Sequence, residues 1–411
     1  MKIKTVAKNV LPKGIINFYR RIKRLPDVIL ATYYLKRNIK RNHSKNIIKV
    51  GFCAEFPAVW DKISPVFELM RKDNRFKVLL VFTRTLNTRN EEEFLNVQQF
   101  FNELYPEVEY LINDGNISLS DYNLDYFFYQ RPYNGVYPAN LKVEMVRKFA
   151  KICYIPYGYS GSNAFIDLAT DKSFFRNVYF GFIEIKEELQ ILRRQFNRNI
   201  ERGYQFFEKL GYPSFEKYLN FEKKDFQGKV LWTPRWTTDD KVGGSHFFDY
   251  KDDFLMAARN IAFIFRPHPL MFDNFVKKGM MSEEDVIEYK TSLKDRGVKF
   301  SEGEQIEKDF MNTDILLTDY SSIIVEYFLT GKPIIYCKAN YQMNEEYDNI
   351  MKGIYIANSW NEVMQYLGDL LKGVDPLKDE RQRIIKEHFG DVKGAAKRIV
   401  ERIVDDFNFS R

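Results

Sequence analysis

The sequence predicts an α/β protein of two domains, each a parallel sheet flanked by helices. Apolar strand-like runs at residues 49–53, 76–82, 108–112, 124–129, 151–155 and 178–185 alternate with helix-like segments such as 63–72 and 141–150. That is the rhythm of a sheet whose crossovers are helical. After a charged stretch at 216–228 that ends in glycine, the rhythm resumes with runs starting at 230, 261, 315 and 334. At 411 residues the chain is too long for one ordinary core and suits two domains of about 150 to 200 residues. The expected division is a basic tail at 1–48, a first domain at 49–225, a second at 229–378, and one or two terminal helices at 379–411 placed to cross back onto the first.

Three strands of the second half end in chemistry. Thr318-Asp319-Tyr320-Ser321-Ser322 follows an apolar run and opens a helix-like run that ends at Thr330. The first N–H groups of a helix lack partners and carry partial positive charge, so such a start holds an anion. Ser321 and Ser322 add hydroxyl donors, and Asp319 or a serine caps the helix. Glu326 lies one turn after Ser322, where a carboxylate can accept from two ribose hydroxyls. An ordinary N-cap reads the same way in isolation. Some fifty residues earlier, a strand runs into Arg266-Pro267-His268-Pro269, whose prolines end it and display Arg266 and His268 at its carboxyl end. In open α/β sheets that edge binds ligands. A third strand breaks at Thr233-Pro234-Arg235-Trp236 and presents Arg235 there too.

With these elements in place, and with Gly331-Lys332-Pro333 leading into a strand at 334–337, the second half resembles the CDP-glycerol glycerophosphotransferase family of teichoic acid and capsule polymerases. The specific motifs span 229–340; over the first half only the order of elements matches. The resemblance implies a GT-B fold, two Rossmann-like domains facing across a cleft, with the nucleotide on the second. It implies Arg266 and His268 beside the diphosphate, Ser321 and Ser322 on its oxygens, and Glu326 near the ribose.

The family's first domain carries a His-Gly pair that looks like the base for the acceptor hydroxyl. Here Ile155-Pro156-Tyr157-Gly158-Tyr159-Ser160 stands in that place, with Tyr157 where histidine is expected. A phenol with a pKa near ~10 donates hydrogen bonds and accepts protons poorly at neutral pH. Glu55, just after the first strand, is one replacement base; a carboxylate there could equally cap the helix near Trp60. His268 is another, though phosphate contact suits it better. Tyr157 could simply pack. His246, in Gly243-Gly244-Ser245-His246, is either an acceptor-loop residue or a solvated histidine.

The net charge of +7 is unevenly spread: residues 1–49 carry +13 and the remainder −6. Cations interleaved with apolar residues suit an anionic membrane surface at the cytoplasmic face, and packing on the first domain is the other possibility. No run approaches the ~18 apolar residues of a spanning helix, and no clean apolar core marks a signal peptide. Cys53, Cys153 and Cys337 stand far apart in apolar runs, as buried thiols of a reducing compartment do. There is no GxGxxG, no GxxxxGK[ST] and no Asp-x-Asp, which disfavours dehydrogenases, P-loop NTPases and metal-bridged nucleotide sugars.

The expected activity is transfer of a glycerol-phosphate or similar alditol-phosphate from a CDP-activated donor to a hydroxyl of a lipid-linked or glycan acceptor, releasing CMP. No cofactor, metal or nucleic acid is expected. A nucleotide-sugar glycosyltransferase of the same fold is the first alternative. A catalytically silent membrane scaffold is the second.

Overall fold

The computed structural model describes residues 13–40, 46–86, 88, 90–159, 161, 172–219, 225–239, 243–302, 306–339 and 343–409. Two sheets organise it. The first holds β1 (Ile48–Ala54), β2 (Phe76–Thr83), β3 (Tyr110–Asn113), β4 (Tyr126–Tyr129), β5 (Lys151–Tyr154), β6 (Val178–Phe182) and β7 (Phe206–Glu208) in the order β3-β2-β1-β4-β5-β6-β7. The second holds β8 (Val230–Thr233), β9 (Phe263–Phe265), β10 (Lys299–Phe300), β11 (Ile315–Thr318), β12 (Ile334–Cys337) and β13 (Tyr355–Ala357) in the order β10-β9-β8-β11-β12-β13. Every pairing is parallel. Both are doubly wound sheets, and each reverses its winding once, at β1/β4 and at β8/β11. The crevice at such a reversal is where this architecture seats ligands.

Strands β4, β5, β6, β8, β11 and β12 are buried on both faces, which is why they read as continuous apolar runs and not as alternating ones. The short strands β7, β10 and β13 were not predicted. The helix expected at 141–150 shrinks to a 3-10 turn, Ala139–Leu141, and one α-turn, Val143–Val146.

The two domains are joined by more than the connecting chain. The predicted linker is not a free tether: Glu216–Leu219 forms a helical turn whose Tyr218 is fully buried; residues 220–224 lie outside those described. The last helix, Ala395–Phe409, returns to the first domain and buries Ile399, Ile403 and Phe407. Its Asp406 accepts from Tyr126 (2.6 Å) and Tyr179 (2.8 Å) and pairs with Lys151 at 2.5 Å, so three strands of the first sheet share one carboxylate from the far end of the chain. Within the N-terminal helix, Lys13–Ile39, Ala31, Leu35 and Asn38 are buried. Asn38 donates to the carbonyls of Arg147 and Ala150 (3.0 and 3.4 Å). Residues 1–12 and 41–45 of the predicted tail lie outside those described. No helix of the described residues is long and apolar enough to cross a membrane. The three cysteines are free and buried.

Candidate active site

At the reversal of the second sheet, β8 delivers Arg235 and β11 delivers Asp319, and the two strands are clamped by a Thr233–Thr318 hydroxyl bond of 2.7 Å. Asp319 does not cap the following helix as expected. Its carboxylate instead accepts from the backbone N–H of Arg235 (3.0 Å) and of His246 (3.3 Å), from the Ser245 hydroxyl (3.2 Å), and from His246 Nδ1 (2.8 Å). A buried carboxylate needs this many donors. The side chain of Arg235 turns back onto Tyr320, donating to its carbonyl at 2.6 Å with its guanidinium 5.0 Å from the ring centre. Gly243 is required at this corner: its φ is +94°, and a Cβ there would sit 2.8 Å from the Tyr320 ring.

His246 is therefore not an acceptor-loop residue. It stacks on Tyr250 at 5.2 Å and points into the fold. Burial works to lower its pKa, but the hydrogen bond and charge of Asp319 outweigh that and raise it. Ligand atoms of His246, Asp319 and Cys337 lie within 4.8 Å of one another, but the Asp319 oxygens are already spent on the four donors above.

The helix after Asp319 runs Ile323–Leu329 with Ser322 at its N-cap, and that serine's side chain makes no capping bond. Ser322 is exposed at the helix start, and half-buried Ser321 accepts weakly from the Ile323 N–H through its hydroxyl (3.5 Å). His268, at the end of the neighbouring strand, is placed by its N–H on the Pro234 carbonyl (3.2 Å). Its Nδ1 accepts from Leu270 N–H at 3.1 Å, which puts the ring proton on Nε2. Burial and the nearby Arg235 cation push its pKa down to about 4. At neutral pH His268 is thus uncharged, with its Nε2–H free to donate.

Arg266 leaves this group. Its Nη1 donates to Asp309 (2.9 Å) and Ser301 (3.1 Å), and it lines a cavity of about 510 Å³ with Lys299, Phe300, Ser301 and Phe100 of the first domain. The cavity opens at the carboxyl ends of β9 and β10, so Arg266 keeps the predicted sheet edge while serving its outer part.

Glu326 is not at a ribose site. The helix Ile323–Leu329 is almost wholly buried, so its fourth residue faces the domain seam, 5% exposed. There it pairs with Lys62 of the first domain and accepts from Tyr218 (3.4 Å). Burial disfavours the Lys62 charge, yet Glu326 and Asp61 outweigh it and hold the ammonium well above the usual lysine range.

Glu55 is also corrected. Its side chain is 0% exposed, with one oxygen on Arg131 (2.7 Å) and the other on Tyr137 (2.5 Å). Neither oxygen can reach an acceptor, and the 3-10 turn Pro57–Lys62 is not capped by it. It stitches the β1/β4 reversal as Asp319 stitches β8/β11.

Tyr157 is half-buried at the carboxyl end of β5, its hydroxyl 2.5 Å from that of Tyr133. Burial first, then the Tyr133 hydrogen bond, push its pKa up, so the phenol stays protonated at neutral pH. Gly158 beside it has open space where a side chain would go. The loop then touches the second domain directly: Gly161 N–H donates to the Tyr320 hydroxyl (3.2 Å), and Tyr347 donates to the Tyr159 carbonyl (3.1 Å). A Cβ on Gly161 would meet the Tyr347 ring at 2.7 Å, so only glycine allows this contact. The Tyr157 loop therefore abuts the Asp319–Ser322 corner.

Tyr133 and Lys62 were not singled out in the sequence. Tyr133 had a readable signal, since Arg131-Pro132-Tyr133 after β4 repeats the pattern of Arg266-Pro267-His268 after β9.

The family model for CDP-glycerol:poly(glycerophosphate) glycerophosphotransferase matches residues 191–405, more than half of the chain. The chain belongs to that family. It is accordingly a phosphotransferase of the glycerophosphotransferase type. Among solved structures it is similar to the wall teichoic acid polymerase TagF, with TM-score 0.55 and 14% identity over 97% of this chain and 99% of that one. A TagF variant soaked with CDPG gives TM-score 0.54 and 12% identity over 96% and 98%. The UDP-GlcNAc 2-epimerase of Neisseria meningitidis, bound to UDP-GlcNAc, gives TM-score 0.60 and 13% identity over 87% and 100%. At these identities the likeness is one of fold. No curated protein matches the chain.

Proposed function

We propose that the protein transfers an alditol-phosphate, glycerol-phosphate foremost, from a CDP-linked donor to a hydroxyl of a cell-wall or capsular polymer and releases CMP. The observation that carries this is the placement of the family's matched elements. Arg235, His268 and the open Ser321–Ser322 helix start leave three adjacent strands, β8, β9 and β11, at the reversal of one sheet. The diphosphate lies on this edge. The helix start and the two serine hydroxyls take its oxygens, and His268 Nε2–H adds a donor that carries no charge of its own. The adjoining cavity, with Phe300 and Phe100 as apolar walls and Arg266 inside, takes the nucleoside end.

The acceptor hydroxyl attacks the β-phosphorus as the bond to CMP breaks. Charge then gathers on the departing phosphate, where fixed donors stabilise it without reorganising. No metal is needed for this logic. Family membership favours attack at phosphorus over the glycosyltransferase alternative.

The N-terminal helix supports a peripheral membrane role. Leu25, Ile29 and Tyr33 follow one another at four-residue spacing and are 54, 58 and 55% exposed, beside Arg24, Lys36 and Arg37. Incubation with CDP-glycerol and a poly(glycerophosphate) oligomer tests the activity. CMP with a longer phosphodiester chain is the expected product. CDP would mean attack at carbon, and nucleotide binding without release would mean a silent scaffold.

A further inference from the structure

The donor corner and the Tyr157 loop meet at one side chain. We propose that Tyr320, through its hydroxyl, is a positioning residue that sets the spacing between the acceptor and the donor phosphate. This rests on the reading above.

The geometry is a clasp across the domain seam. Both backbone polar groups of buried Gly161 are spent on the second domain: its N–H donates to the Tyr320 hydroxyl (3.2 Å), and its carbonyl accepts from the Asn344 N–H (2.8 Å). Two residues earlier, the Tyr159 carbonyl accepts from the Tyr347 hydroxyl (3.1 Å). Asn344 caps the helix Glu345–Met351 that carries Tyr347, accepting from the Tyr347 N–H at 3.1 Å. Three hydrogen bonds within three residues therefore tie the end of the Tyr157 loop to the second domain.

Of these anchors, Tyr320 alone belongs to the donor corner, between Asp319 and Ser321 in the chain. It is 6% exposed and fixed from two sides. Arg235 donates to its carbonyl (2.6 Å) and lies 5.0 Å from its ring centre, and Gly243 packs so close that a Cβ would sit 2.8 Å from the ring. Its hydroxyl is thus a fixed point in the frame of the Ser321–Ser322 start, and Gly161 is a point in the frame of Tyr157. The bond between them joins the frame that holds the diphosphate to the first-domain segment facing it. Reacting atoms must sit ~3 to 3.5 Å apart and aligned, and a misplacement of about 1 Å costs ~10² in rate.

A retreat of this face also admits water. A water oxygen then forms the bond to the β-phosphorus, the bond to the bridging oxygen breaks, and CMP leaves with that electron pair. The water's proton passes to solvent, and free glycerol-phosphate replaces the longer chain as product.

The test uses the full chain with CDP-glycerol and a poly(glycerophosphate) oligomer, comparing wild type with Tyr320→Phe, Gly161→Ala and the double variant. Chain extension, CMP, free glycerol-phosphate, CDP affinity and melting temperature are measured for each. Tyr320→Phe keeps the ring and loses the bond, so kcat for extension should fall by ~10- to 100-fold with CDP affinity unchanged. The share of CMP formed without extension should rise. A purely structural role would lower both products together and leave that share where it was. Gly161→Ala breaks the same contact from the other side, because its Cβ would meet the Tyr347 ring at 2.7 Å. It should shift the share the same way, and the double variant should be no worse than the more severe single one. A folded Tyr320→Phe enzyme with the wild-type kcat and share overturns the proposal, as does a loss carried wholly by CDP affinity. A wild type that neither binds CDP nor releases CMP overturns the reading beneath it, and the proposal falls with it.

Discussion

At the scale of single residues, this site separates groups that look alike in the sequence by what surrounds them. His268 and His246 both follow second-domain strands, yet Arg235 and burial depress one while Asp319 raises the other. Because His268 ionises only near 4, it should add no step to the pH–rate profile around 6.5. His268→Ala should lose most turnover, by the ~1.5 to 3 kcal/mol of a hydrogen bond to a charged group or more, while the fold persists; wild-type kcat in a folded variant would contradict the role. A depressed histidine stabilises the fold above its ordinary pKa of about 6.5 and loses that contribution as pH falls through about 4. His268→Gln should therefore flatten the fall in melting temperature between those two values. Glu55→Gln tests the opposite assignment: it weakens the hold on half-buried Arg131, so it should lower stability by ~1 to 3 kcal/mol in denaturant titration with little change in kcat per folded molecule.

At the scale of elements, strand ends were the legible part. Arg235, Arg266, His268 and the Ser321–Ser322 start stand on the carboxyl edge because proline or a helix start ends each strand, which is local chemistry that a sequence displays. What the side chains then touch was not legible. Whether Glu326 meets a ribose or a lysine depends on Lys62, 264 residues away. Likewise, Glu55 closes on Arg131 and Tyr137 only because β1 and β4 are neighbours in space. Short edge strands such as β10 carry too few residues for a pattern to show. The Lys62–Glu326 pair makes a prediction at this scale. Lys62→Met leaves a carboxylate buried at the seam, so global stability should fall by ~3 to 5 kcal/mol. The lysine's pKa is raised, so its own contribution is complete below about 10.5 and is lost only as pH rises past the lysine's folded value; burial raises the Glu326 pKa, so the loss in the variant should grow with pH as that carboxylate ionises. A loss below 1 kcal/mol would show that the seam does not rely on the pair.

At the scale of the whole molecule, two doubly wound sheets are joined by a terminal helix that returns to the first domain, and the N-terminal helix buries Ala31, Leu35 and Asn38 while exposing Leu25, Ile29 and Tyr33. The alternation of strands and helices announced the two sheets. The sequence did not reveal that Ala31, Leu35 and Asn38 belong to the first domain's packing. Removing the whole tail would strip those contacts. Leu25→Ser, Ile29→Ser and Tyr33→Ser together should instead weaken binding to anionic vesicles several-fold and leave CDP affinity intact; vesicle binding equal to wild type would assign that helix to packing alone. Where the donor sits is decided by a crystal structure of the His268→Ala variant with CDP-glycerol. The diphosphate should lie at the Ser321–Ser322 helix start, with the cytidine in the cavity beside Arg266 and Phe300. A diphosphate bound anywhere other than the β8/β11 reversal would contradict this placement.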